Sequence, residues 1–446
     1  MEDLLSDNFN DNGLLGRKID LLLRTGQLLV EASADTNRIM RDMLRAASYL
    51  GIPEKWLHIH ITFTMLMVNV SDNGEHSITK FQKCQKHGIN MTTLSLVSKL
   101  SWRAIEEDYS LDQYEKELDA IASRKRNYTP VVVAIGAGFA CGGFCKLFGC
   151  DWVAFFITSL CAFLGFRARA YCIKFGINTY MSIAIAAFIS TCLAYFCHYV
   201  PWTETPWHPL LACALFIVPG VPMINFVDDM LDNYILVGLT RALNTFLMVG
   251  AMTFGIVFAI GLFQVDDFTE LSMRPHSSYF VYAIAAAISA MGFSMIFNIP
   301  RRLLPVVAVG GIIAVCTRNY VNFELGQGLI IGSFAGSVLV SLIAVKAVHW
   351  FHVPNHVLTI PSVIPMVPGV YMYRLVFGLV NFNSLTPDTM LVTIQSGLTS
   401  GITVLGMAVG VAIPNIFLRR YLAKGKRLHL DQILAERKAR GKFLDW

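Results

Sequence analysis

From residue 129 onward the apolar residues come in runs of membrane length, whereas before it they recur with helical and strand periods. Crossing hydrocarbon takes about 20 residues of helix. Ten runs meet that need, near Thr129–Phe148, Trp152–Phe166, Tyr180–Val200, His208–Val227, Ile235–Phe263, Tyr279–Asn298, Leu303–Arg318, Leu325–Val345, Val357–Leu379 and Asp388–Leu418. The second is short and the last long. In the preceding 128 residues, Ile19–Leu50 places Leu22, Leu23, Leu29, Val30, Ile39, Met43 and Leu44 roughly on one helical face. The stretch Ala32–Thr36 divides that run, with Asp35 or Ser33 suited to cap a second helix, and Gly51-Ile52-Pro53 ends it. Leu57–Thr62 alternates, Met65–Val70 is strand-like, and Ser71–Gly74 predicts a turn into a third strand over Ser77–Phe81. Helices over Met91–Glu107 and Leu111–Arg124 complete a small α+β domain.

Two of the long runs carry the same interruption. Val218-Pro219-Gly220-Val221-Pro222-Met223 and Val367-Pro368-Gly369-Val370-Tyr371-Met372 align at an offset of 149 residues (367 − 218). Proline removes a donor and clashes with the preceding turn, so neither helix passes through undisturbed. In hydrocarbon the freed groups are tolerated only where protein or a water-filled cavity lines the break. Broken helices in corresponding positions of two halves point to a transporter's substrate site. Each break falls about eleven residues into its helix, roughly 16 Å at 1.5 Å per residue, near the bilayer midplane.

Charge sets the expected orientation. One set of loops collects Arg124, Lys125, Arg126, Arg167, Arg169, Lys174, Arg301, Arg302, Lys346 and the tail from Arg419 to Arg427. The opposite set holds Lys146, Arg274 and Arg318 with Glu204, Asp266, Asp267 and Glu270. Positive loops stay cytosolic, so both termini are predicted there. Five crossings per half is odd, which makes the halves inverted repeats. The whole chain is 54% hydrophobic and 15% charged, against about 25% charged for soluble domains. The net charge of +5 follows from residues flanking the spans and implies no nucleic-acid partner. Met1–Asn12 is acidic and lacks the apolar core of a cleavable signal peptide.

Ionisable groups inside spans are costly and therefore candidates for function. Asn225, Asp228, Asp229 and Asp232 follow the first break, with Arg241 in the next run; Tyr371, Tyr373 and Arg374 follow the second. Asn225 and Asp229 share a helix face, and Asp229 is placed to take up a proton as a pump turns over. Asp228 and Asp232 equally suit rim acids, and Arg241 or Arg374 could neutralise Asp229 as a structural pair. A break leaves N–H groups on its outgoing side, suited to anions at Gly220–Ile224 and Gly369–Tyr373. Its carbonyl side, Phe216–Val218 and Pro365–Val367, suits an amine or sodium ion. Both together fit a small zwitterion, and a dicarboxylate also remains open.

Glycines at four-residue spacing (Gly328, Gly332 and Gly336; Gly397 and Gly401; Gly406 and Gly410) predict close helix packing. No metal site is predicted. His58, His60, His76 and His87 lack converging acids or cysteines, Pro354 interrupts His349, His352 and His356, and Cys141, Cys145 and Cys150 lack partners. No Walker-type phosphate loop argues for ATP-driven pumping, and no cofactor is implied.

The chain resembles the threonine/serine exporter family. The resemblance rests on Gly26-Gln27-Leu28-Leu29 through Ala34-Asp35-Thr36-Asn37-Arg38 and Gly51, and on Pro219-Gly220 with Asn225, Asp229, Gly238 and Arg241. It continues in Phe297-Asn298-Ile299-Pro300-Arg301-Arg302 and in Ile364-Pro365-Met366-Val367-Pro368-Gly369 with Tyr373-Arg374. It spans about residues 17–415. Ser33 and Asn233 stand where the family pattern has glycine; Asn tolerates the left-handed conformation better than most residues. The resemblance implies efflux of threonine and serine driven by the proton gradient, while split relatives are associated with export of dicarboxylates such as succinate.

The expectation is therefore an all-α polytopic membrane protein of about ten spans in two inverted five-helix repeats, with an N-terminal cytosolic α+β domain. Its divisions are residues 1–128, 129–265, 275–420 and a basic tail 421–446. It is a secondary transporter of the inner or plasma membrane and not an enzyme. Its partners are the substrate, protons, the lipid bilayer and, through the soluble domain, a second copy. Substrate contacts fall to Pro219, Gly220, Asn225, Pro368, Gly369, Tyr373 and Arg374, and proton coupling to Asp229 and Arg241. The rival class is a membrane-anchored enzyme or sensor working through residues 1–128, where no nucleophile-base pair is legible.

Overall fold

A stripe of apolar residues at helical spacing must be covered, and in the first 125 residues two helices and a small sheet cover one another. The structure, a computed structural model, describes residues 12–72, 76–85, 87–263, 278–351, 353–380 and 386–439. The opening residues through Asp11, the turn at Asn73–Glu75, the loop charges Asp266, Asp267, Glu270 and Arg274, His352, and the side chains of His76, His349 and Tyr373 lie outside that description. The chain divides into two compact units. One is Met1–Lys125 with Asp228–Arg241 and Asn415–Trp446; the other is Arg126–Val227 with Ala242–Pro414.

In the first unit, α1 (Asn12–Glu31) and α2 (Thr36–Tyr49) bury Ile19, Leu22, Leu29, Ile39 and Met43. A three-stranded antiparallel sheet follows, β1 (Leu57–Ile61), β2 (Met65–Asp72) and β3 (His76–Lys83), in the order β1-β2-β3. Leu57 faces Val70 and Ile59 faces Val68. Alternation buries Leu66, Val68 and Val70 and leaves His58 and His60 exposed. Helices α3 (Met91–Glu106) and α4 (Leu111–Ala122) close the core, with a Ser110/Gln113 capping box at the start of α4. The buried Tyr114 hydroxyl hydrogen-bonds Thr25 Oγ1 at 3.0 Å, joining α4 to α1.

The second unit is helical. Its elements are α5 (Pro130–Leu147), α6 (Trp152–Lys174), α7 (Thr179–Tyr195), α8 (His208–Ala212), α9 (Gly220–Leu231, whose end falls in the first unit), α10 (Ile235–Phe263, whose start through Arg241 falls in the first unit), α11 (Tyr279–Ile296), α12 (Leu304–Asn319), α13 (Gly328–Phe351), α14 (Asn355–Val363), α15 (Gly369–Val380) and α16 (Pro387–Ala439, whose end from Asn415 falls in the first unit). Among the described residues eight helices are long and apolar enough to cross a membrane, or up to ten if each bent pair counts as one span. The chain is a mostly helical, polytopic membrane protein. Helix α11 begins and ends 149 residues after α5 (279 − 130 and 296 − 147), the offset of the Pro-Gly breaks. Each is followed by a residue of positive φ at the same offset, Gly149 at 100° and Asn298 at 56°.

Several boundaries differ from those expected. Helix α6 runs past Phe166 to Lys174, so Arg167, Arg169 and Lys174 belong to a helix and not to a loop; charge ends a hydropathy run without ending a helix. Arg318 likewise lies within α12. Helix α16 continues to Ala439. Of the glycines expected to mark close packing, Gly332 and Gly336 fit against the Arg318 and Ala314 carbonyls, and Gly397 and Gly410 are also tight. Gly328 and Gly401 face open space, and Gly406 makes only ordinary contact.

Candidate functional site

The two Pro-Gly segments fold alike. After α8 comes a single tight turn at Leu215–Ile217, then Val218 at φ −51°, ψ 120°, and α9 starts at Gly220. After α14 comes the same turn at Ile364–Met366, then Val367 at φ −58°, ψ 128°, and α15 starts at Gly369. The incoming and outgoing helices meet at bends of 58° and 63°. Proline alone does not leave the freed groups bare. Val218 N–H donates to the Leu215 carbonyl at 3.0 Å and Gly220 N–H to the Val218 carbonyl at 2.8 Å. In the second copy, Val367 donates to Ile364 and Gly369 to Val367, both at 2.9 Å. Phe216 N–H donates to Cys141 Sγ at 3.1 Å, so this cysteine does more than fill space.

The breaks also touch each other reciprocally. A Cβ on Gly220 would lie 2.1 Å from Ile364 Cδ1, and one on Gly369 would lie 2.6 Å from Leu215 Cδ2. Leu215 and Ile364 are themselves 149 residues apart (364 − 215), as are the two glycines (369 − 220). Each glycine leaves room for a side-chain tip from the turn that precedes the other break. Pro219, Gly220, Pro368 and Gly369 are thereby brought together at one crossing. Asn225 sits buried on α9, and Arg374, its counterpart by the 149 offset (374 − 225), sits half-buried on α15.

Asp229 and Arg241 belong to another centre, within the first unit. Arg241 Nε lies 3.2 Å from Asp229 Oδ2, and the two side chains are 7% and 1% exposed. Arg241 is thus an ion-pair partner of Asp229. The other carboxylate oxygen, Oδ1, accepts the Thr36 N–H at 2.8 Å. Thr36 opens α2, so the acid occupies a helix N-terminus, where negative charge is favoured. Arg241 also donates to the Ala34 carbonyl at 2.8 Å, and Asn37 Nδ2 donates to Asp232 Oδ2 at 2.5 Å. Asp35 caps α2 by accepting the Arg38 N–H at 2.8 Å and pairs with Arg38 Nε at 3.3 Å. Burial, then the nearby Asp232, Asp229 and Asp35, push the Tyr234 phenol above its usual pKa.

Two tight helix ends shape this centre. Ser33 has φ 63° and Asn233 φ 69°. Ala34 N–H reaches back to the Leu29 carbonyl and Ser33 N–H to Val30; Tyr234 reaches to Asp229 and Asn233 to Met230. This 6→1 and 5→2 pairing closes a helix through a left-handed residue. Ser33 and Asn233, the two positions where the resemblance leads one to expect glycine, are thus both left-handed.

Sequence inspection gave no hint that Thr36 and Asp229, 193 residues apart, would bond. It also missed Leu215, Ile364 and Cys141, apolar or small residues whose role is visible only once the breaks cross.

A threonine/serine exporter family model matches residues 20–263, more than half of the chain, and a second threonine/serine exporter model, ThrE, matches residues 282–417. No solved structure matches the chain. With spans enough for a multi-pass membrane protein, it belongs to the threonine/serine exporter family, whose work is amino-acid efflux.

Proposed function

We propose that this exporter carries threonine and serine outward by alternating access about its two crossed breaks, driven by the proton gradient. What carries this is the reciprocal contact of Gly220 with Ile364 and Gly369 with Leu215. Two breaks that share one crossing present carbonyls and N–H groups from both halves to one small solute. The substrate carboxylate faces the first-turn N–H groups that follow Gly220 and Gly369, within Gly220–Ile224 and Gly369–Tyr373, and the ammonium faces the carbonyls before each proline. Pro219 and Pro368 keep those groups out of helical pairing, and Asn225, Tyr373 and Arg374 supply side-chain contacts. Asp229 and Arg241 form the proton-linked pair, at the start of α2.

The common 149-residue offset supports two five-helix halves. The odd number of crossings in each makes them inverted, with both termini on the cytosolic side of the inner or plasma membrane. Residues 1–128 form the cytosolic domain ahead of repeats at 129–265 and 275–420, with 421–446 as the basic end.

Efflux of labelled threonine from proteoliposomes, with a pH gradient imposed or collapsed and unlabelled serine or succinate as competitor, tests this. Gradient-dependent efflux displaced by serine is the expected result. Displacement by succinate alone assigns the site to dicarboxylates, and efflux indifferent to the gradient removes the proton.

A further inference from the structure

Two arginines stand at equivalent places in the repeat with no acid among the described residues to answer them. Arg169 and Arg318 are 149 residues apart (318 − 169), the offset of the breaks. Arg169 lies in the candidate span Trp152–Lys174 and Arg318 in the candidate span Arg301–Glu324. Among the described residues neither has a carboxylate within ion-pair distance. Arg169 Nε is sealed from solvent and makes no hydrogen bond. Arg318 Nε donates to Asn319 Oδ1 at 3.0 Å, a neutral acceptor, and its electrostatic neighbours are Tyr282, Cys316 and Tyr371. A guanidinium held in a span without a counter-charge is costly, and such residues mark a path or site for an anion.

An aromatic neighbour leads from each arginine toward a break. Phe166, one helical turn before Arg169 and on the same face, packs edge-on against Phe216 at 5.7 Å, just before Pro219. Tyr371, an electrostatic neighbour of Arg318, lies in the first turn of α15, where the N–H groups just after Gly369 come before the helix's own i→i−4 bonds. Helix α13 approaches closely here: a Cβ on Gly332 would lie 2.6 Å from the Arg318 carbonyl and 3.4 Å from its Cγ. The backbone then widens into a π-turn at Tyr320–Glu324.

We propose that Arg169 and Arg318 are the carboxylate-binding residues of the transported solute, one serving each break. Each holds the carboxylate when its own side of the transporter is open. This rests on the exporter function above and names the chemical feature it recognises, a carboxylate on a small polar solute. A guanidinium offers two parallel donors to a carboxylate, and the first turn after the break adds backbone N–H groups to the same anion.

The test uses the full chain in proteoliposomes of neutral lipid and of lipid with an anionic fraction, with labelled threonine or succinate, whichever the wild type carries. Arg318→Gln and Arg169→Gln are each measured with substrate supplied from either side. Each variant is expected to raise the half-saturating concentration by about 30-fold, one on one face and one on the other, with Lys restoring part of the loss. Threoninamide or the succinate diester, which lack the charge, should fail to compete in the wild type; this holds even if a Gln variant does not fold. Unchanged saturation in both variants, or neutral analogues competing as well as the parent acids, overturns the proposal. So does a loss confined to maximal rate that appears only in anionic lipid, which would make the arginines headgroup anchors. A wild type that moves neither solute refutes the exporter function itself, and only then.

Discussion

The crossing of the two breaks can be tested by adding a single methyl group. Gly220→Ala places a Cβ 2.1 Å from Ile364 Cδ1, well inside van der Waals contact. Ile364 is buried, but Cδ1 is the far end of its side chain and can turn partly aside, so the cost belongs in the overpacking range of about 1–3 kcal/mol. Ile364→Val deletes Cδ1 and by itself costs about 0.5–1.5 kcal/mol. In the double variant the new methyl occupies the space vacated, so the two changes offset and the coupling should be about 1–2 kcal/mol. The counterpart is Gly369→Ala, whose Cβ would meet Leu215 Cδ2 at 2.6 Å, relieved by Leu215→Ala. The assay is thermal unfolding of the purified protein in one detergent, followed by tryptophan fluorescence, for wild type, both singles and the double. Gly220→Ala should lower the midpoint, and adding Ile364→Val should bring it back near the Ile364→Val single. An undiminished Gly220→Ala loss in the Ile364→Val background, with the same failure for Gly369 and Leu215, would show that the breaks do not touch.

Other perturbations act on the first unit and are read in the same unfolding assay. Arg241→Met leaves Asp229 buried without its cation and should cost about 3–5 kcal/mol; Asp229→Asn with Arg241→Met should cost clearly less than Arg241→Met alone, because no charge is then stranded. Ser33→Gly relieves a side chain held at φ 63°, for a net gain of about 0.5–1 kcal/mol after the extra chain entropy of glycine, and Asn233→Gly should gain less. Lys18, buried in α1, has its pKa lowered by burial from 10.5 to about 8. Between those values the unfolded chain holds the proton that the folded chain has released, so stability rises with pH from 8 to 10.5 and is lowest below 8; Lys18→Met should flatten that rise.

The parts of the fold visible in the sequence are those that local chemistry decides. Asp35 caps α2 because an acid there accepts the Arg38 N–H whatever surrounds it. Ile235–Phe263 emerges as one helix, as its apolar run predicts. The breaks sit where proline must put them. Local chemistry also accounts for the failures. The apolar run around α6 stops near Phe166, but arginine is a good helix former, and the helix goes on until the residue after Phe175, Gly176, turns left-handed at φ 78°. Residues beyond Arg420 are rich in Ala, Leu, Lys, Arg and Glu and extend α16 although no apolar run marks them. What could not be seen was pairing across distance. Nothing in Ala34–Asn37 announces an acid 193 residues further on, and nothing in Leu215 or Ile364 announces a glycine from the other half.

The repeat separates the polar residues into two kinds. By the 149 offset Asp229 corresponds to Gly378 and Arg241 to Met390, so the ion pair has no counterpart in the second half. Arg169 and Arg318 do correspond, as do both glycines and both prolines of the breaks. Under the proposed alternating access, in which each half takes the role of the other, the charged groups that hold the solute's carboxylate are needed in duplicate, one per side. A switch that answers to one side only has no use for a second copy. The Asp229–Arg241 pair, bonded to Ala34 and Thr36 at the start of α2, has the single-sided character of a control point. The duplicated arginines and breaks have the character of the solute path.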